Sequence, residues 1–323
     1  MLSVMARYLN PKNDLTFKRI FGEHPALLIN FLNAVMPFET GRMIETVEYL
    51  PADMTPETPT KKFSIVDVRC RDNYKRQFII EMQMYWDNAF YNRIVFNAGK
   101  AYVRQLDSGE EYHLLQPVYT LALLNENFDR KTDRFYHHFQ IINRENTDEI
   151  IPGLEFVLVE LTDKFHPETV NDRKLMVLWL RFLKETGEKM ISLPPEMQEN
   201  EFIRQAAELC ERAAYTPEEL AAYEKYWDRI RIERALLSGA KQEGITEGKV
   251  IGLEEGKAIG LEEGEAIGLE KGKAIGLEEG RTEEKEKVAM NAFRMGITIE
   301  NIATFTGLTI EQVAEILKQH GLL

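Results

Sequence analysis

Two short apolar runs, Phe63 to Cys70 and Phe78 to Met84, constrain the fold more than any other feature of this chain, because they read as the two arms of a β-hairpin. Both are rich in β-branched and aromatic residues, and Asp72-Asn73-Tyr74-Lys75 between them supplies turn chemistry. If the turn centres on Tyr74, residues equidistant from it face one another, and Asp67 and Glu81 form such a pair. Directly opposed residues have Cβ atoms roughly 4.5–5.5 Å apart. Gln83 shares the face of Glu81, because side chains alternate along a strand. The other face carries Val66, Val68, Cys70, Phe78, Ile80, Met82 and Met84 and is expected to be core.

Two carboxylates at that separation repel unless a cation, a proton or a basic side chain lies between them. Mg²⁺ prefers oxygen ligands and keeps several of its waters, which suits hydrolysis of a phosphodiester. On that reading Asp67 and Glu81 hold Mg²⁺ or Mn²⁺, the carbonyl of Met82 is a further ligand, and Gln83 orients the attacking water. The competing reading is structural: an Asp near the hairpin edge and a Glu paired with Arg69 or Arg93.

The order of elements and the Asp67…Glu81-x-Gln83 set resemble the PD-(D/E)XK nuclease superfamily. Within it the chain resembles the recombination-promoting nuclease (Rpn) group, also described as nuclease-family transposases. The stretch Pro11-Lys12-Asn13-Asp14-Leu15-Thr16-Phe17-Lys18-Arg19-Ile20-Phe21-Gly22 looks like that group's N-terminal signature, and Arg93, Tyr102 and Gln105-Leu106 look like its motif on the following helix. The resemblance implies an α/β fold with an αβββαβ core, a mixed sheet flanked by helices, and DNA endonuclease chemistry in recombination or transposition. It also implies a catalytic role for Asp14 near the metal; as the first acidic residue of a helix, Asp14 is equally explained by the helix dipole. In one respect the chain departs from the superfamily, whose third catalytic position is usually Lys. Gln83 can exchange hydrogen bonds but brings no charge.

The net charge of −13 opposes wholesale nucleic-acid affinity. Residues 241–323 hold 16 acidic and 10 basic side chains, a net of −6, which leaves −7 for the first 240. A nuclease of this balance needs a local basic patch. Lys61, Lys62, Arg69, Arg71, Lys75 and Arg76 around the hairpin, with Arg93, Lys100 and Arg104 on the next helix, are the candidates. Tyr85, Trp86 and Tyr91 interleave with them and could stack on bases or pack half in the core. No apolar run approaches the ~20 residues of a membrane span, and Met1 to Asn10 is short for a secretory signal, so a cytoplasmic protein is expected. Two cysteines, one on the core face, argue against a disulfide. His137 and His138 are expected on opposite faces of a strand, neither with a partner that would make it a general base.

The chain divides into a nuclease core over residues 8–165, a helical extension over 166–240, a repeat linker over 241–281 and a terminal module over 282–323. Helices are expected over 12–35, 87–106, 172–184, 195–213 and 217–237, and strands near 43–50, 117–124, 135–142 and 153–161. In the repeat, Gly-Leu-Glu-Glu-Gly-Lys-Ala-Ile recurs and glycine occupies every fourth position from Gly244 to Gly280. Four residues advance a helix by about 400°, so the glycine stripe wraps the helix and forms no fixed face. Each interior Gly costs about 1 kcal/mol against Ala, which favours a helix-leaning, partly ordered linker. From Ile299, the pattern Ile302-Ala303, Gly307, Val313 and Ile316 has helix-turn-helix spacing with Thr309 as N-cap. Gln312 and Lys318 would face DNA there, against repulsion from Glu311 and Glu315; packing or oligomerisation is the other use of such a module. The expected function is a Mg²⁺- or Mn²⁺-dependent DNA endonuclease, and the alternative is a catalytically silent DNA-binding or assembly protein. A homo-oligomer through the helical extension or the tail is possible in either case.

Overall fold

The computed structural model describes residues 7–38, 41–54, 64–87, 89–128, 131–167 and 173–323. The chain forms two compact units, one ending at Leu236 and one running from Leu237 to Leu323.

In the first unit, α1 (Asp14–Gly22) and α2 (Pro25–Val35) precede β1 (Val47–Tyr49) and two short strands, β2 (Asp53–Met54) and β3 (Ser64–Ile65). The hairpin arms are β4 (Val68–Asp72) and β5 (Gln77–Gln83). They are followed by α3 (Phe90–Val103), β6 (Val118–Leu124), β7 (Tyr136–Ile142), β8 (Ile150–Glu160), α4 (Lys174–Glu185), α5 (Pro195–Glu199) and α6 (Glu201–Glu208). Leaving aside the small β2–β3 sheet, the αβββαβ order is present.

Six strands form a mixed sheet in the order β1-β4-β5-β6-β8-β7, in which β5, β6 and β8 are parallel and the remaining pairs antiparallel. Both faces of its central strands are buried, while β7 and the start of β8 are largely exposed. On one face, Val68, Cys70, Phe78, Ile80, Leu121, Leu123, Val157 and Val159 meet Phe17, Phe21, Phe31 and Trp179 of the helices. On the other, Ile79, Val118, Ala122 and Leu158 pack under Ile94, Ala98 and Ala101 of α3. Each large aliphatic or aromatic side chain removed from water here contributes roughly 1.5–3 kcal/mol. Cys70 and Cys210 are buried and free.

The hairpin pairs Val68 with Ile80, Arg69 with Ile79, Cys70 with Phe78 and Arg71 with Gln77, the register centred on Tyr74. Its turn is held by Asp72, whose Oδ1 accepts the N–H groups of Tyr74 and Arg76 at 2.9 Å each, while Lys75 takes φ 64°.

Three segments before α7 depart from the expected elements. The helix expected over 12–35 is two, because Pro25 cannot continue α1 and instead starts α2. The segment 195–213 divides at Asn200, whose side chain accepts the Ile203 N–H and caps α6. The first hairpin arm breaks at Val66-Asp67: β3 pairs with β2, and β4 begins only at Val68. That bend puts Val66 on the α3 side with Ile79, not on the face of Val68 and Cys70.

The helix α7 runs from Pro217 to Arg294, past the expected end at 237 and through the whole repeat. In the second unit its last turns carry Ala289 and Ala292, which pack with Ile302 and Ala303 of α8 (Ile299–Thr306) and Val313 and Leu317 of α9 (Ile310–Gln319). Gly307, at φ 67°, ends α8, and Thr309 caps α9 in a reciprocal pair with Gln312. Ile316, expected in this core, is only half-buried, and Leu317 takes its place.

Candidate active site

The parallel strands β5 and β6 end side by side at Gln83 and Leu124, and the ends of parallel strands are where an α/β sheet opens a crevice for ligands. A cleft of about 490 Å³ lies there, and Asp14, Asp67, Glu81, Met82 and Gln83 all line it. Four of the five anticipated catalytic or metal-binding groups come from the bend and from β5. Asp14, the first residue of α1, reaches the same cleft.

The bend at Asp67 is what presents its carboxylate. Its Oδ2 accepts the Met82 N–H at 2.6 Å, where a continuous strand would have placed a backbone carbonyl. The N–H and C=O of one strand residue point to the same edge, so the Met82 carbonyl also faces Asp67. Glu81 is buried and accepts one hydrogen bond, from Asn97 Nδ2 at 3.0 Å. Neither Arg69 nor Arg93 donates to it: Arg69 donates to Gln77 at 2.8 Å and Arg93 to Gln83 Oε1 at 2.6 Å. Gln83 Nε2 donates to the Tyr85 carbonyl.

The electrostatics match two acids whose burial outweighs the opposing charges beside them, Lys18 for Asp67 and Arg93 for Glu81. Asp67 keeps part of its surface in the cleft, yet desolvation drives its carboxyl up to about 7, and the neighbouring charges of Glu81 and Asp14 add to that rise against the Met82 hydrogen bond. Glu81 is also raised, mainly by burial, with Asn97 and the Arg93 charge opposing. Asp14 has its own partner, Lys18 Nζ at 2.9 Å. Accordingly, among the described residues no group of three His, Cys, Asp or Glu side chains stands ready to hold a metal. What is present is a pair of carboxylates and a carbonyl, an all-oxygen set suited to a hard cation that retains waters.

The anticipated basic patch is mostly committed elsewhere. Arg76 lies buried against Asp72 at 2.6 Å, and Arg71 pairs with Glu48 at 2.6 Å. Lys100 donates to the Met54 carbonyl and so ties α3 to β2. Arg93 does line the cleft, whereas Lys61 and Lys62 lie outside the described residues. Trp86 is packed with Phe90, Tyr91 and Phe128 at ring distances of 5.0–5.3 Å, and the Tyr85 hydroxyl donates to the Ile230 carbonyl. The histidines do have carboxylate neighbours, contrary to expectation: His137 sits 3.1 Å from the buried Glu160 and His138 2.9 Å from Glu155. In the terminal module, Gln312 Oε1 accepts the Thr309 N–H, which commits its side chain to the cap; Lys318 is exposed.

Asn97 and one wall of the cleft escape a reading of the sequence alone. Asn97 left a signal, a polar residue on the buried stripe of an amphipathic helix, one turn after Arg93. Tyr226, Arg229, Ile230 and Glu233 of α7 complete the cleft and left none, since a polar helix far along the chain does not announce which element it covers.

Residues 11–237 match the sequence model of the PD-(D/E)XK nuclease family transposases. The chain belongs to that family. No curated protein and no solved structure matches it. For a PD-(D/E)XK nuclease family transposase the matched stretch is informative, since it takes in both walls of the cleft, from Lys12 and Asp14 to Glu233, and stops before the repeat. Membership points to nuclease and transposition-related chemistry. Among the described residues no helix is long and apolar enough to cross a membrane.

Proposed function

We propose that this protein is a metal-dependent DNA endonuclease that hydrolyses phosphodiester bonds in recombination or transposition, with Asp67 and Glu81 at its centre. The observation that carries the reading is the burial of these two carboxylates in one cleft at the end of β5, with both raised in pKa and Asp67 pushed up to about 7. A cation would relieve that arrangement beyond what Lys18 and Arg93 do. Asp67, Glu81 and the Met82 carbonyl would hold Mg²⁺ or Mn²⁺. Such an ion, when bound, offsets the charge of a phosphodiester and makes its bound water a better nucleophile.

The chain's own residues then have separate tasks. Asn97 fixes the Glu81 carboxylate by its 3.0 Å hydrogen bond. Gln83 uses one lone pair for Arg93 and one N–H for Tyr85, and its remaining lone pair and N–H can align a water. Arg93 stands beside Gln83 in position to meet phosphate, and Asp14 adds negative charge at the cleft mouth. Lys61, Lys62 and Lys100, and Lys318 and Gln312 in the terminal module, are proposed contacts to DNA outside the reacting centre; of these, Gln312 would have to leave its capping role and Lys100 its bond to Met54. The extension, repeat and terminal module are proposed to assemble the protein or bind DNA.

Supercoiled plasmid incubated with Mg²⁺, Mn²⁺, Ca²⁺ or EDTA tests the proposal, with Asp67→Ala as the comparison. Cleavage that needs Mg²⁺ or Mn²⁺ and disappears in the variant is expected. A second reading, a silent DNA-binding protein, draws on the pair of carboxylates, to which no third His, Cys, Asp or Glu side chain is joined in a metal-binding group among the described residues. No cleavage by the folded intact chain, with DNA binding indifferent to Asp67→Ala, would decide for it.

A further inference from the structure

Lys12 stands out in the cleft because its charge has no carboxylate to answer it. It is 9% exposed and lines the same cavity as Asp67, Glu81 and Gln83. Among the described residues its side chain has one hydrogen-bond partner, and that is neutral: Asn125 Oδ1 at 2.7 Å from Nζ. An ammonium has three donors, so two remain. Burial lowers its pKa, and the like charge of Lys184 adds to that. A buried charge is costly unless it is paired and fully hydrogen-bonded, and a chain that merely needed to fill this position would do better with an apolar side chain.

The place of Lys12 is also defined. Asn125 follows the last residue of β6, and its N–H donates to the Gln83 carbonyl at 2.9 Å. Asn125 therefore joins Lys12 to the strand end that carries Gln83, on the opening of the crevice. The backbone before α1 is pinned there as well: the Lys12 N–H donates to Asn10 Oδ1 at 3.0 Å, and the Asn13 side chain both caps α1 and donates to the Tyr223 carbonyl. The cavity also presents Lys18, Arg93 and Arg229, but Lys18 is paired with Asp14 and Arg93 with Gln83 and Asp87, whereas the Lys12 ammonium is rigidly held with spare donors that an anion would fill.

We propose that Lys12 is a phosphate-contacting residue of this cleft, its ammonium binding a backbone phosphate of the DNA strand held beside Asp67 and Glu81. The inference rests on the nuclease reading for the identity of the strand, but its test does not depend on cleavage. The intact protein and its Lys12→Met and Lys12→Arg variants are titrated with a short fluorescent DNA duplex in Ca²⁺ across a range of salt concentrations, alongside thermal unfolding and plasmid cleavage in Mg²⁺.

Lys12→Met is expected to fold with an unchanged or higher Tm, since it removes an unanswered buried charge. The slope of log binding constant against log salt is expected to become shallower by about 0.9, the share of one phosphate contact. Lys12→Arg keeps the slope. Cleavage by Lys12→Met is expected to fall at least 10-fold. An unchanged salt slope in a folded Lys12→Met protein would overturn the proposal, and so would a lower Tm with no change in slope, the mark of a purely structural lysine. If the intact protein cleaves nothing yet shows the Lys12-dependent slope, the nuclease reading fails and this one stands.

Discussion

At the scale of single residues, the cleft behaves as a titratable device. The Asp67 carboxyl keeps its proton up to about pH 7 in the folded chain, against an ordinary value of 3.8. Between those values the unfolded chain binds fewer protons than the folded one, so stability falls as pH rises from about 4 to about 7 and then levels off. Glu81 acts in the same direction. The Asp67 contribution is at most about 4 kcal/mol, from roughly three units at 1.36 kcal/mol each. Asp67→Asn should therefore raise Tm at pH 7.5 in EDTA and leave it little changed at pH 4; an equal difference at both values would refute the assignment. Asn97→Ala removes the donor that orients Glu81 and should weaken Mn²⁺ binding roughly 10- to 100-fold, read by isothermal titration, with the same fold by circular dichroism.

At the scale of elements, local chemistry decides what was legible in the sequence. The hairpin register followed from the Asp72 turn and the alternation of Val68, Cys70, Phe78 and Ile80, and it is found from Val68–Ile80 to Arg71–Gln77; the expected direct pairing of Asp67 with Glu81 lies beyond this ladder, because the arm bends at Asp67. The bend at Asp67 was not legible, because Val66-Asp67-Val68 has strand propensity throughout and only the competing β2–β3 pairing and the Met82 N–H draw it out of line. Pro25 was a readable stop that the helical periodicity of Leu27, Leu28 and Phe31 overrode. Turn chemistry at Gly307 and Thr309 was readable, and Thr309→Ala should cost the terminal helices about 1 kcal/mol, seen as an earlier melting of that module. The repeat offers a different test. An added Cβ at Gly252, Gly260 or Gly268 meets nothing within 4 Å, so Gly→Ala there should each favour the helix by about 1 kcal/mol and raise the far-ultraviolet helical signal.

At the scale of the whole molecule, the cleft is completed by chain far from where it begins. Its walls come from residues 12–18, the hairpin, the start of α3 and the stretch from Tyr226 to Glu233 on α7. A chain ended at Leu236 retains all of them and should still cleave plasmid, though with the weaker DNA binding expected from loss of the terminal module. One ended at Thr216 retains Asp67 and Glu81 but loses Tyr226, Arg229, Ile230 and Glu233, and it should lose most cleavage in the same plasmid assay even where its sheet still forms. The unfilled wall explains why the site's acids could be read from the sequence and its enclosure could not: ligand atoms are local to a strand, whereas a covering helix is chosen by tertiary packing.

That distance along the chain also sets a schedule. Domains gain structure from the N-terminus as synthesis proceeds at about 5–20 residues per second, and the hairpin that carries Asp67 and Glu81 emerges long before α7. The growing chain thus holds its acidic pair without the wall opposite. If the cleft cuts DNA as proposed, it stays without that wall on the ribosome until Tyr226 to Glu233 have been made.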